Sequence, residues 1–391
     1  MKNPKKVFFY VLLVSVAVGA QVPPAERELA NLEPRTGETL LFIGQDLQSV
    51  ADYVADCTDC PTPGGVATYL NLEGILTPGF YGGLGFTQED KPFGKTINWG
   101  GGPLDAYALA SQYPKSAVQI GLYMVDQTEK VRKGKLDAQI EQLGDYFQQF
   151  PETPFYLRIG YEFDGNWNHY EPTSYVAAFQ HIVKQLRTQG VENVAYVWQS
   201  ATSPVDDILD GGREPLDPYY PGDDFVDWVG LSWFLQAHEK PTSGKPCPAT
   251  QIQLAEELIE FARAHGKPAM VCESAPQGYH VGTLYQYNIS HLWDGPAGQG
   301  LTKVSPEQVW TEWYTPYFEF IGAHRDVIKA VTYINANWDI QGLWGPPYQQ
   351  GYWGDSRIEA NADVKEQWVA AITENTWLHG GDHIREILHG M

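Results

Sequence analysis

Two segments of this 391-residue chain finish an apolar run on a glutamate. The first is Phe155-Tyr156-Leu157-Arg158-Ile159-Gly160-Tyr161-Glu162, running on into Asp164-Gly165-Asn166-Trp167-Asn168; the second is Pro268-Ala269-Met270-Val271-Cys272-Glu273-Ser274. Strand side chains alternate, so Arg158, Gly160 and Glu162 are expected on one face, with Leu157, Ile159 and Tyr161 on the other. The same rule puts Ala269, Val271 and Glu273 together. A buried arginine needs carboxylate partners, and an ionised carboxylate closing a buried strand costs several kcal/mol unless compensated. Such groups are placed for acid–base work.

Two carboxyl groups on one rim suit the cleavage of a glycosidic bond. One gives a proton to the departing oxygen while the other attacks or stabilises the anomeric carbon. Their pKa values must then be driven apart: like charge nearby raises one, and a cation such as Arg158 keeps the other ionised. This chemistry calls for no metal and no cofactor.

The elements needed to position these groups are an alternation of strands and helices. Strand-like runs fall at Leu40 to Gly44, Gly74 to Pro78, Val118 to Met124, Phe155 to Tyr161, Val194 to Gln199, Trp228 to Phe234, Pro268 to Glu273 and Ala330 to Asn335. Helical periodicity marks Leu136 to Phe150, Ser174 to Gln189, Ile252 to His265 and Pro306 to His324, with Gly190 and Gly266 as C-terminal caps. Eight strands alternating with helices predict an α/β fold, a (β/α)8 TIM barrel. Long connections at Gly79 to Pro103 and Leu235 to Thr250 follow strands, which puts them on the carboxyl-end face.

Lys2, Lys5 and Lys6 before the apolar run Val7 to Val18 and Gly19-Ala20 predict an export signal over residues 1–20. A tail over 21–39 and one catalytic domain over 40–391 follow, in a secreted or periplasmic protein with no membrane attachment after cleavage. The formal charge of -22 becomes -25 once those three lysines are lost, which argues against nucleic acid as a partner. Aromatics make up 13% of the chain, with 13 Trp and 23 Tyr, enough to supply flat faces for sugar rings beyond the core. Of Cys57, Cys60, Cys247 and Cys272, the closely spaced first two suggest a small loop disulfide.

The two glutamates ending strands four and seven resemble the clan of retaining (β/α)8 glycosidases. Their surroundings are most similar to glycoside hydrolase family 26, the β-mannanase family, in Arg158 to Trp167, Tyr219 to Gly230 and Lys267 to Pro276. The resemblance implies Glu162 as acid/base, Glu273 as nucleophile and Asp227-Trp228 as a structural lead into strand six. It also has departures: Tyr161 stands where family mannanases usually carry His, and Ser232-Trp233-Phe234 ends strand six where a Tyr is common.

Substrate contacts are expected from Arg158, Tyr161, Asn166, Trp167, Gln45, Trp198, Gln199, Trp233, Asn337 and Trp338, at strand ends or in the loops that follow. Asp46, Asn335, His169 and His238 share those rims. The reading is a secreted, retaining, endo-acting hydrolase of β-mannan or a related β-glycan, with a polysaccharide or oligosaccharide as its partner. Two alternatives are a hydrolase of algal or sulfated polysaccharide, for which Asp164, Asp206 and Asp223 are further carboxylates, and a non-catalytic carbohydrate-binding barrel.

Overall fold

The computed structural model describes residues 29–85, 96–204, 215–234, 249–287, 301–344 and 352–389. The expected export signal, parts of both long loops, Asp206, His238 and Cys247 lie outside the described residues.

Eight parallel strands form a closed barrel: β1 (Thr39–Ile43), β2 (Gly65–Asn71), β3 (Ala117–Tyr123), β4 (Phe155–Ile159), β5 (Val194–Ser200), β6 (Trp228–Trp233), β7 (Ala269–Ser274) and β8 (Ile328–Tyr333). Each pairs with the next, and β8 returns to β1 through Leu40↔Ala330 to Ile43↔Tyr333. Alternation sorts the side chains into two cores. Leu40, Phe42, Tyr156, Val197, Trp228 and Met270 fill the barrel, whereas Leu41, Ile43, Leu157, Ile159, Val229 and Leu231 pack under the helices. Tyr156 meets Phe42 and Trp228 edge-on at 5.2 and 5.3 Å. Burying one such ring contributes roughly 2–3 kcal/mol.

Below this layer the barrel floor is closed by the two ends of the described chain. Leu32, Ile384 and Leu388 join the inner core, and the Tyr156 hydroxyl and the Trp228 indole donate to the carbonyls of Leu32 and Asn31. The floor is therefore sealed, so access to the barrel interior lies at the opposite face.

Helices start and stop where the local chemistry directs. Asp46 caps Leu47–Asp56 by accepting from Gln48 and Ser49 amides, and Thr250 with Gln253 forms a capping box on Gln251–Ala264. Pro172 opens Pro172–Thr188. Gly190 and Gly266 follow their helices at φ 80° and 63°, the left-handed geometry of a C-terminal cap. The expected helix Pro306 to His324 is present as Pro306–Val309 and Thr315–Ala323 joined by one wider turn, Trp310–Tyr314.

The second strand is the main correction. Residues 74–78, expected as a strand, fall in a tight turn built on Glu73–Leu76, while β2 precedes them and pairs with β3 over all seven of its residues. Cys57 and Cys60 are bridged, and Cys272 is a buried free thiol. Among the described residues no helix is long and apolar enough to cross a membrane.

Candidate active site

Arg158 is the centre of the upper barrel layer. It is wholly buried, and its register partner on β3 is Gly121. A Cβ at 121 would lie 2.7 Å from Arg158 Nη2 and 2.5 Å from a Tyr69 ring carbon, so glycine is what admits the guanidinium. Arg158 sits over the rings of Tyr69 (4.9 Å) and Tyr161 (5.3 Å). Its Nη1 donates to Gln199 Oε1 at 2.8 Å and to Glu273 Oε1, with which it forms a buried ion pair. Gly121→Ala is expected to push Arg158 off this seat and lower kcat by about 10- to 100-fold, since a displacement near 1 Å costs that much in a preorganised site. Circular dichroism with steady-state kinetics checks it: a folded variant with unchanged kcat contradicts this role.

Glu273 reaches Arg158 through a break in the strand rule. Ala269 and Val271 face the helices, so strict alternation would carry Glu273 outward with them. Between Val271 and Glu273 the register against β6 slips by one residue, Leu231 pairing with Val271 and Ser232 with Glu273. The extra residue, Cys272, is a β-bulge that turns the carboxylate inward.

Glu162 arrives by a second irregularity. β4 ends at Ile159, after which Gly160 and Glu162 adopt φ of 56° and 53°. A left-handed non-glycine residue costs on the order of 1–3 kcal/mol and persists only when its surroundings hold it. Here Asn168 Nδ2 clamps the carbonyls of Tyr161 and Glu162, both at 2.9 Å, and Phe163 N–H donates to the Gln199 carbonyl. The turn also corrects Tyr161. Expected to face the helices, it packs edge-on against Tyr69 at 5.2 Å and lies against Arg158.

The two carboxyl groups are joined across the barrel mouth. Ser232 Oγ donates to Glu162 Oε1 (2.8 Å), Gln199 Nε2 donates to Ser232 Oγ (3.0 Å), and the same nitrogen lies 3.5 Å from Glu273 Oε1. Trp167 Nε1 donates to Glu162 Oε2 at 3.0 Å. Burial, and then the charge of Glu273, push the Glu162 pKa up to about 8, against the pull of Ser232, Arg158 and Trp167. A carboxyl group so raised beside an arginine-paired carboxylate has the asymmetry that acid catalysis at a glycosidic oxygen uses. Glu162 and Glu273 keep 9% and 8% of their surface exposed, so both are reachable.

Other expected contacts divide into two groups. Gln45 and Trp338 meet at the mouth, the Trp338 indole donating to Gln45 Oε1 at 3.3 Å, and Gln45 Nε2 reaches Gln341 Oε1 at 3.3 Å. Trp338 belongs to an aromatic wall with Phe234, Trp344 and Trp353, packed around Ala275 two residues beyond Glu273. Asn337 bridges backbone to Asp355, and Asn166 is half-buried on the turn before Trp167. Trp198 and Trp233 are corrections. Both are fully buried on the outward face, Trp198 stacked on Phe163 at 4.3 Å and Trp233 tilted against Phe320 at 4.7 Å, so neither offers a ring to a sugar.

Asp46 and Asn335 serve the scaffold, the first as a helix cap and the second through the Ile358 amide, and His169 pairs with Asp126 on an exposed rim. The further carboxylates do not join the pair. Asp164 accepts from Ser200 Oγ and the Ala201 amide, and Asp223 is held by the Tyr220 hydroxyl and His265. Residues not anticipated are Tyr69, Gly121, Trp344 and Trp353, while Ser232 and Phe234 stand out in the sequence only as a departure from the family pattern at the end of strand six. The misplaced second strand hid Tyr69, although the run Val66-Ala67-Thr68-Tyr69-Leu70 has the β-branched and aromatic content of a strand.

Barrel and carboxyl pair together define a (β/α)8 glycosidase. The family model for Glycosyl hydrolase family 26 matches residues 111–279. The β-1,3-xylanase TXYA of Vibrio sp. is 32% identical over 377 residues, covering 95% of this chain and 73% of that protein. A β-1,3-xylanase of Alcaligenes sp. is 32% identical over 376 residues, covering 95% and 71%. Similar folds include a β-mannanase of the same family from Bacteroides ovatus (TM-score 0.53, 14% identity, 90% of this chain and 93% of that one). A Cellulomonas fimi endo-β-1,4-mannanase double mutant gives TM-score 0.56 at 15% identity, over 92% and 79%. The chain belongs to glycosyl hydrolase family 26 and is a glycoside hydrolase.

Proposed function

We propose that this chain is a secreted, retaining endo-β-1,3-xylanase in which Glu162 is the acid/base and Glu273 the nucleophile. The observation that carries the mechanism is the pairing of an acid with a raised pKa, Glu162, and an arginine-bound carboxylate, Glu273, linked through Ser232 Oγ and Gln199 Nε2. Retention rests on the similarity to the retaining (β/α)8 clan, whose carboxyl groups stand ~5–5.5 Å apart, a spacing that this hydrogen-bonded bridge permits. Double displacement follows: Glu273 attacks the anomeric carbon as Glu162 protonates the leaving oxygen, then Glu162 deprotonates the water that releases the sugar.

The substrate rests on the two β-1,3-xylanases that match almost the whole chain. Trp167, 47% exposed beside the acid, and the half-buried rings of Phe234, Trp344 and Trp353 supply faces for sugar rings, with the buried Trp338 behind them. Arg158 is buried and committed to Glu273, so it is no ligand for a sulfate. Residues 1–20 act as the export signal and residues 40–391 as one catalytic domain.

The test is turnover of β-1,3-xylan, β-1,4-xylan and β-1,4-mannan by the purified chain, with product sizing and proton NMR of the first-formed anomer. Xylo-oligosaccharides of several lengths from β-1,3-xylan, formed first as the β-anomer, are expected. Release from mannan alone overturns the substrate, and the α-anomer first overturns retention. Export predicts a recovered chain starting near Gln21.

A further inference from the structure

The donors around Glu162 are ordered by a group that cannot be turned round. A guanidinium has only N–H to offer, so Gln199 must present Oε1 to Arg158, at 2.8 Å. Its amide nitrogen therefore faces Ser232 Oγ and Glu273 Oε1. Ser232 accepts from that nitrogen, which leaves its own hydrogen for its remaining neighbour, Glu162 Oε1. Ser232 itself is fully buried, and its carbonyl takes hydrogen bonds from Thr202 Oγ1 and Gln251 Nε2, so the hydroxyl has a fixed seat.

One oxygen of the acid is thereby held toward the buried side of the site. Each oxygen accepts one hydrogen bond and keeps one lone pair, but Oε1 is turned to the fully buried Ser232, whereas Oε2 lies beside the half-exposed Trp167 indole, on the side a leaving oxygen can reach. We propose that Ser232, set by the Arg158–Gln199 pair, is a positioning residue that directs the catalytic proton of Glu162 to Oε2 and stabilises the carboxylate left when that proton departs.

The inference rests on the retaining reading for its second half. In the first step the Glu162 Oε2 proton passes to the leaving oxygen, the glycosidic C–O bond breaks, and a Glu273 oxygen bonds to the anomeric carbon. Glu162 is then a carboxylate that still receives the Ser232 hydrogen at Oε1, with Oε2 open. In the second step Oε2 takes a proton from water, the water oxygen bonds to the anomeric carbon, and Glu273 leaves as a carboxylate. No proton travels through Gln199 or Ser232, whose hydrogens stay where they are throughout. The titratable groups facing Glu162 are Glu273 and Cys272 from β7, Arg158 from β4, Tyr69 from β2 and Tyr170 beyond the turn.

The experiment is the pH profile of kcat/KM for the wild type, Ser232→Ala, Ser232→Cys and Ser232→Thr on the glycan that the wild type degrades, with the first-formed anomer recorded in the same samples. Losing a donor to a charged group moves the alkaline limb of Ser232→Ala up by roughly one pH unit, with Ser232→Thr at the wild-type position and the weakly donating Ser232→Cys between. A purely structural serine would lower activity without moving the limb. If the alanine variant does not fold, the difference between the cysteine and threonine variants carries the test. An unmoved limb in folded variants overturns the inference even when the β-anomer forms first and retention stands. An α-anomer from the wild type overturns retention, while the limb still decides where the proton sits.

Discussion

Glu273→Gln, the change that keeps a hydrogen-bond acceptor for Arg158 while removing the proposed nucleophile, is expected to leave a folded protein with turnover reduced by at least about 10⁴-fold. Glu273→Ala is equally inactive but less stable. Arg158 has no exposed surface, and its carboxylate partner is Glu273; stripping one member from a buried pair costs about 3–5 kcal/mol because the remaining charge is uncompensated, a cost that the glutamine oxygen offsets in part and alanine does not. Thermal or denaturant midpoints with kcat separate the two effects. Appreciable turnover by a folded Glu273→Gln removes this residue from the chemistry.

The second large effect depends on the leaving group. Glu162→Ala slows attack on a polysaccharide by about 10²–10⁴-fold, the usual worth of a general acid. Bond cleavage in an aryl glycoside whose phenolate departs unprotonated is slowed far less. Release of the second product still needs the missing base, so the glycosyl-enzyme accumulates and a burst precedes a slow steady state. Added azide, which attacks without a base, restores the steady state and yields the β-glycosyl azide. Equal slowing of both substrates, with no burst and no rescue, contradicts the assignment of Glu162.

The barrel was largely legible because buried parallel strands are apolar runs whose ends stand out. The runs that form β4 and β7 each lead to a glutamate, three residues past the end of β4 and one before the end of β7, and helices between them carry a clear period and glycine stops. β2 escaped because Gly74-Ile75-Leu76-Thr77-Pro78 is as apolar as a strand and lies where one is needed. The chain instead forms a turn there that Pro78 ends, and the strand is the earlier run Gly65–Asn71.

The site was legible in its charged members and less so in its neutral ones. Parity alone decides between Gln199 and Trp198 and between Ser232 and Trp233: one of each adjacent pair must face the barrel and the other the helices. Arg158 demands a polar neighbour, which selects Gln199 and Ser232 for the interior and sends both indoles outward, as the packing of Trp198 and Trp233 shows. Parity failed at the two glutamates themselves. The bulge at Cys272 and the left-handed turn at Gly160 and Glu162 leave no periodic trace, yet they aim both carboxyl groups. The Tyr161 ring, carried inward by the same turn, closes over Arg158 from the side opposite to that expected.

The most direct test is covalent capture. Incubation with a 2-deoxy-2-fluoro glycoside bearing a good leaving group, followed by peptide mass spectrometry, is predicted to place one sugar on the carboxylate of Glu273. A label on any other residue, or none under conditions where the glycoside is hydrolysed, contradicts nucleophilic attack by this glutamate.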